Sequence, residues 1–177
     1  MPVVTGGPAL VDGSVLHVAV AGGVVEVLQE VTADMKNPPD GWPRIAPAVF
    51  YDDAAAAIDW LTRAFGFAVQ VKVEDDQGRI AHSQLVLDGG LIMVGQAGLR
   101  ADRTFPRSPR AVGGANTQAL SVYVDDVDAH CERARAAGAV VTMEPATQDY
   151  GEGYWADRTC EVRDLEGHHW WFMQRLR

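Results

Sequence analysis

Four side chains in this chain carry the donor chemistry of a metal site or a polar ligand site: His82, Gln84, Glu161 and His169. In the stretch "RIAHSQLVLD", His82 and Gln84 stand two residues apart and therefore share one face of a strand. In "EVRDLEGHHWWFMQ", Glu161 and His169 flank a turn signal, and Trp171 and Met173 share the parity of His169. Neutral imidazole and oxygen donors of this kind can hold a divalent ion. Nothing in their spacing requires one, and a lone strand histidine is read first as a hydrogen-bonded structural residue or a pocket wall. Aromatic side chains are the second resource. "QDYGEGYWADR" reads as a loop entering a strand, and it sets Tyr150, Tyr154 and Trp155 near where a ligand would enter. Aromatic walls bind planar or cationic ligands by stacking, and acidic surroundings favour a cation. Trp60 and Trp170 are expected in the core, Trp155 equally at a pocket wall or in solvent, and Asp157 with Arg158 as a local ion pair.

Nucleophilic catalysis has little support. Ser83 and Ser121 lack a glycine-elbow context, and no Cys/His pairing is legible. "GQAG" and "VGGAN" do not follow a strand and open a helix, as a phosphate cradle would. Cys131 and Cys160 are the only cysteines; neither lies in a CxxC pair, and both read as buried free thiols in a reducing cytoplasm. His130 and His17 read as solvated helix face and strand surface.

The elements that must position these residues follow from composition and periodicity. The chain has 177 residues, 47% of them hydrophobic, enough for one domain or two similar halves. A net charge of −9 argues against nucleic acid or an anionic membrane surface as partner. No apolar run is long enough to span a bilayer, and no basic residue precedes Lys36, so the charged region of a secretory signal is missing.

Residues 1–34 read as an N-terminal extension in which valines on either side of Gly22-Gly23 suggest a β-hairpin. Residues 35–44, with three prolines and a glycine, read as a linker. "RIAPAVFYDD" is then a short strand ending in two aspartates, followed by the helix "DAAAAIDWLTRAF" with Asp53 as N-cap and Gly66 as stop. "FAVQVKVED", "RIAHSQLVLD" and "GLIMVGQ" supply three more strands. After a loop over 97–116 the order repeats: "TQALSVYVDD", the helix "DVDAHCERARAAG" capped by Asp126, and three strands ending in "HHWWFMQRL". Setting Asp52-Asp53 on Asp125-Asp126 aligns the leading strands, and Gly90 then corresponds to Gly167. The expected fold class is α+β, with module 1 over 45–96 and module 2 over 117–177.

These two βαβββ modules, with "YDDAAAAIDWLTRAFGF", "VYVDDVDAHCERARAAGA" and "DLEGHHWWF", resemble the vicinal-oxygen-chelate superfamily, which includes glyoxalase I, extradiol dioxygenases and the bleomycin- and fosfomycin-resistance proteins. The resemblance covers roughly residues 43 to 177 and is closest to glyoxalase/bleomycin-resistance-like bacterial proteins. It implies a concave groove between the sheets and a homodimer. In the metal-dependent members the ligands, His, Gln or Glu, come from the first and fourth strands of each module. Carried over by the strand-ending aspartates and the turn glycines, those positions are Ala46, Ala119, Val94 and Trp171, none of which can chelate. A divalent metal is therefore disfavoured, and no cofactor is expected. The leading functional reading is a metal-free small-molecule binder of aromatic or cationic ligands lined by His82, Gln84, Tyr150, Tyr154, Trp155, Glu161, His169 and Trp171. The alternatives are a metal-dependent lyase or dioxygenase with atypical ligands, and an interaction module with a vestigial cavity.

Overall fold

A computed structural model describes residues 16–20, 23–27 and 36–177. In the N-terminal part, β1 (Leu16–Val20) pairs antiparallel with β2 (Gly23–Val27), Val20 opposite Gly23. Gly22 of the expected turn lies outside the described residues.

The remaining elements form two βαβββ modules. Module 1 comprises β3 (Ala48–Tyr51), α1 (Ala54–Phe65), β4 (Ala68–Glu74), β5 (Ile80–Leu87) and β6 (Gly90–Gln96). Module 2 comprises β7 (Ala119–Tyr123), α2 (Val127–Ala136), β8 (Val140–Asp149), β9 (Ala156–Arg163) and β10 (His169–Arg175). Each makes a four-stranded sheet, in the orders β3-β6-β5-β4 and β7-β10-β9-β8. In both, the first strand runs parallel to the fourth and the other pairings are antiparallel.

The helices form where the sequence provides caps and an apolar stripe. Asp53 accepts a hydrogen bond from the Ala56 amide, and Asp126 one from the Ala129 amide, each at 3.0 Å. Ala57, Ile58, Leu61 and Phe65 then fall on one face of α1, and all are buried. The far end of each sheet also caps its own helix. Gln96 Oε1 accepts from the Ala54 amide, and Gln174 Oε1 accepts from the Val127 amide, both at 3.2 Å. These orphan amides at the helix starts would otherwise lack an acceptor.

The two modules share one core. Phe65 of α1 packs edge-on against Trp170 and Phe172 of β10, with ring centroids 5.2 and 4.8 Å apart. The Trp60 indole N–H reaches across to the Ala137 carbonyl at 2.7 Å. Trp60 and Trp170 are both buried, as expected for large apolar side chains. The turn between β9 and β10 ties module 2 to module 1 by polar contacts. Glu166 accepts from the amides of Asp52 (2.7 Å) and Asp53 (3.1 Å), His168 Nε2 donates to the Phe50 carbonyl (2.9 Å), and the Tyr51 hydroxyl donates to Asp164 (2.6 Å).

His130 departs from its expected place on a solvated helix face. It is only 3% exposed and lies 3.9 Å, ring centre to ring centre, from Phe172. The α2 stripe is Val127, His130, Cys131 and Ala134, so His130 sits on the core side of a helix too short and polar for its pattern to show this in sequence. Asp157 and Arg158 do not pair with each other: neighbours on a strand point to opposite faces. Asp157 holds Arg175, and Arg158 holds Asp128, each at 2.6 Å.

Candidate functional site

The helices cover one face of each sheet, and the candidate site residues lie on the other. On β10, Trp170 and Phe172 point into the core, while His169, Trp171 and Met173 alternate to the open face. Trp171 is 39% exposed and is flanked in register by Ser121 on β7 and Glu161 on β9. Beside it His169 Nδ1 lies 2.6 Å from Glu161 Oε1. A carboxylate only accepts, so Nδ1 carries the proton in this contact and Nε2 is left with a lone pair whenever the ring is neutral. Both side chains are partly shielded, at 29% and 22% exposure, which makes this a stronger contact than a fully solvated ion pair.

Farther along the same face, four residues on from Trp171, Arg175 donates to Asp157 at 2.6 Å and to the Tyr123 hydroxyl at 2.7 Å. Its guanidinium stands 5.4 Å from the Tyr123 ring centre and 5.6 Å from that of Trp155. Tyr150 and Tyr154 pack on Trp155 at 5.5 and 6.3 Å. The 150–155 loop is thus joined to the open face through Arg175, at a strand separation from Trp171 of about 13 Å. The open face thus carries two aromatic groups, each with a carboxylate: Trp171 beside Glu161, which His169 holds, and Trp155 with Tyr123 around Arg175, which Asp157 holds.

His82 and Gln84 are on the other sheet. They meet each other, Gln84 Nε2 to His82 Nε2 at 2.9 Å, with Gln84 largely buried. The amide nitrogen can only donate, so His82 Nε2 is the acceptor. The structure thus joins the sequence-expected residues in three separate groups, Glu161 with His169 and Trp171, Tyr150 with Tyr154 and Trp155, and His82 with Gln84, and no hydrogen bond or ion pair connects the first with the third among the described residues. Gln84 and Glu161 do hold equivalent places in the repeat. Glu161 stands opposite Trp171, and the register of Leu85 with Ile92, continued by one pair, sets Gln84 opposite Met93.

That register corrects one position. Trp171 corresponds to Met93, not Val94. Met93 pairs with Ala48 as Trp171 pairs with Ser121, and the capping residues Gln96 and Gln174 then also coincide. Val94 faces the core at 1% exposure, with its carbonyl accepting from Ser83 Oγ at 2.6 Å. The cause is the turn. Asp88 (φ 42°) and Gly89 (φ 79°) form a two-residue hairpin loop in which both residues need positive φ, so the counterpart of left-handed Gly167 (φ 98°) is Gly89 rather than Gly90. The four superfamily metal positions are therefore Ala46, Ala119, Met93 and Trp171. Two methyls, a thioether and an indole do not fit a hard or borderline divalent ion, which takes oxygen, imidazole or thiolate donors. No cluster of three or more His, Cys, Asp or Glu side chains arranged for a metal occurs among the described residues.

Of the nucleophile candidates, Ser121 lies exposed opposite Trp171, and the others are committed to structure. Ser83 Oγ both donates to the Val94 carbonyl and accepts from its amide. Cys131 and Cys160 are buried; burial, reinforced by Cys131, pushes the Cys160 thiol up to about 12, and burial raises Cys131 as well. Thiols held protonated are poor nucleophiles.

Two cavities at the seam between modules involve none of the eight expected residues. One, about 430 Å³, is lined by Ile45, Leu91, Ala119, Ser121 and Tyr123 among others. The other, about 560 Å³, is lined by Phe50, Arg103, Phe105, Arg107 and His168. The signals for them are present in the sequence: an apolar residue just after the linker prolines, and an arginine cluster in an acidic chain. The first depends on the strands of both modules meeting at the seam, and the second on loop 97–116 folding back over β3.

Comparison with known proteins agrees with this architecture. Residues 44–172 match the model of the glyoxalase/bleomycin resistance protein/dioxygenase superfamily. An uncharacterized protein of Mycobacterium bovis is 33% identical over 135 residues, covering 76% of this chain and 85% of its own length. An uncharacterized protein of Mycobacterium tuberculosis is also 33% identical, covering 76% of both chains. Among solved structures, TioX from Micromonospora sp. ML1 is 32% identical with a TM-score of 0.57, covering 74% of this chain and 98% of its own. A glyoxalase/bleomycin resistance protein/dioxygenase from Nocardioides, at 16% identity and a TM-score of 0.53 over 77% of this chain and 85% of its own, shares the fold. With two βαβββ modules in the expected strand order and a family match over most of its length, the chain belongs to the glyoxalase/bleomycin resistance protein/dioxygenase superfamily.

Proposed function

We propose that this protein is a metal-free binder of aromatic or cationic small molecules, using the open face of the second sheet. The observation that carries this reading is Trp171 standing exposed where chelating members of the resembled superfamily place a metal ligand, beside the Glu161–His169 pair. An indole face stacks on a planar ring, and a carboxylate beside it favours positive charge on that ring. Tyr150, Tyr154 and Trp155 extend the same surface, while His82 and Gln84 offer polar contacts from the first sheet.

Proflavine, a planar cation, tests this directly. It is expected to quench tryptophan emission saturably, with Trp171→Ala weakening its affinity at least ten-fold, about 1.4 kcal/mol. Glu161→Gln weakens it less, and prior dialysis against EDTA leaves it unchanged. Flat emission with proflavine and with neutral aromatic compounds, or unaltered binding by Trp171→Ala, would count decisively against this site.

The reading includes a homodimer. Ile45 is 84% exposed beside the apolar walls of the 430 Å³ cavity, an area of unburied hydrophobic surface that a second copy would cover. Ile45→Asp is expected to lower the sedimentation coefficient from that of a dimer to that of a monomer at micromolar concentration. A wild-type chain that sediments as a monomer contradicts this part of the proposal.

A further inference from the structure

The 560 Å³ cavity under loop 97–116 has a chemistry opposite to that of the Trp171 face. In a chain with 24 acidic and 15 basic residues, its wall holds two arginines, Arg103 and Arg107, and no carboxylate. The other arginines of the loop are engaged elsewhere. Arg100 is paired with Asp102 at 2.6 Å, and Arg110 donates to the Leu165 carbonyl at 2.8 Å. Arg103 and Arg107 form no salt bridge among the described residues; Arg107 makes only a 3.5 Å contact to the Ala111 carbonyl. Asp52 lines a smaller adjoining cavity that the two arginines also border, and it pairs with neither.

The apolar part of the cavity is built from aromatic rings held in place. Arg103 stacks its guanidinium 4.8 Å over the Phe105 ring, which meets Phe50 edge-on at 5.9 Å. Phe50 is seated against Gly95, where a β-carbon would come within 2.9 Å of the ring; Gly95 thus keeps the space that the phenyl occupies. The Phe50 carbonyl is fixed by His168, itself 6% exposed and packed on Tyr51 at 4.6 Å. Phe105 remains 64% exposed although it carries the cation, so a planar ligand has a ring face available.

We propose that this cavity binds a planar aromatic carboxylate. The two guanidinium forks accommodate a carboxylate by paired N–H bonds, and Phe50 and Phe105 flank its ring. A volume of about 560 Å³ suits a small organic molecule rather than a macromolecule. Both arginines are exposed and form no salt bridge among the described residues, so an incoming carboxylate meets them without displacing a carboxylate partner, and the Phe105 ring under Arg103 keeps water from one side of the contact.

The test uses 2-naphthoate, whose own fluorescence reports binding by anisotropy, on the full chain. A saturable rise in anisotropy at one equivalent is expected, weakened at least ten-fold in the Arg103→Gln/Arg107→Gln double variant and reduced by raising salt. Neutral 2-naphthamide is expected to bind at least ten-fold more weakly than the acid. Arg110→Gln, which removes a loop arginine outside the cavity, is expected to stay within two-fold of the parent. Equal affinity for the amide, an equal loss in Arg110→Gln, or no saturable binding of 2-naphthoate up to millimolar concentration overturns the proposal. Thermal melts of each variant confirm that loss of binding is not loss of fold.

Discussion

Asp164→Ala is expected to remove at least about 4 kcal/mol of folding stability, a larger loss than any surface substitution. The Asp164 side chain is 5% exposed and accepts five hydrogen bonds. Its Oδ1 takes the amides of Glu166, Gly167 and His168 at 2.9 to 3.0 Å, which shapes the β9–β10 turn. Its Oδ2 takes the Tyr51 hydroxyl at 2.6 Å and the Trp170 indole N–H at 3.0 Å. Burial and the adjacent Asp164 hold the Tyr51 phenol well above its usual range, so it stays a donor. Alanine would strand these donors in a dry environment, each at a cost of roughly 1–3 kcal/mol before relaxation. The Asp164→Asn variant is expected to lose less, because an amide oxygen can still serve the turn and its NH₂ can donate to the Tyr51 hydroxyl, which leaves only the Trp170 indole N–H without its acceptor. Urea denaturation followed by circular dichroism gives both values. A loss for Asp164→Ala below about 1 kcal/mol would falsify the view that this carboxylate couples the modules.

Acid sensitivity centred on His130 is the second large effect. Burial, then the Arg133 guanidinium, push its pKa from 6.5 down to about 4. Arg133 donates to Nδ1 at 2.9 Å, so Nε2 carries the proton of the neutral ring and lies buried with no acceptor. Protonation would bring a second positive charge against the guanidinium between Phe65 and Phe172. The unfolded chain binds the proton near pH 6.5 and the folded chain only near 4, so the unfolded state holds more protons in between. Stability contributed by the neutral ring is therefore complete above pH 6.5, falls as pH drops toward 4, and levels off below. The total is about 3 kcal/mol. His130→Leu is expected to flatten this segment of the stability–pH curve by close to one proton, read as the difference from wild type in chemical denaturation between about pH 7 and 4.5. Parallel curves for the two proteins would contradict it, as would a His130 ring resonance that titrates near 6.5.

Much of the architecture is legible in the residues themselves. Aspartate caps at 53 and 126, the alternation through Trp170 and Phe172, and the spacing of the two strand–helix units are local signals, and local signals survive in a single sequence. Errors arise where a local count depends on geometry. Gly89 and Gly90 are indistinguishable on paper, but only one can be the left-handed residue of the hairpin, and that choice moves the fourth-strand position from Val94 to Met93. His130 is similar: a polar residue on a polar helix reads as solvated until the β10 aromatics are placed against it.

What the sequence by itself determined is the periodicity, the capping and the repeat. These depend on residue type and on separations of a few positions along the chain. Only the tertiary structure decided which side chains meet. It joined Glu161 to His169 and His82 to Gln84, hung Tyr51 and Trp170 on Asp164, and placed Arg103 and Arg107 beside an aromatic wall with no salt bridge among the described residues. Most of these contacts join residues far apart in the chain or on different strands, and they are fixed by how two sheets share a core, which strand and helix periodicity does not encode.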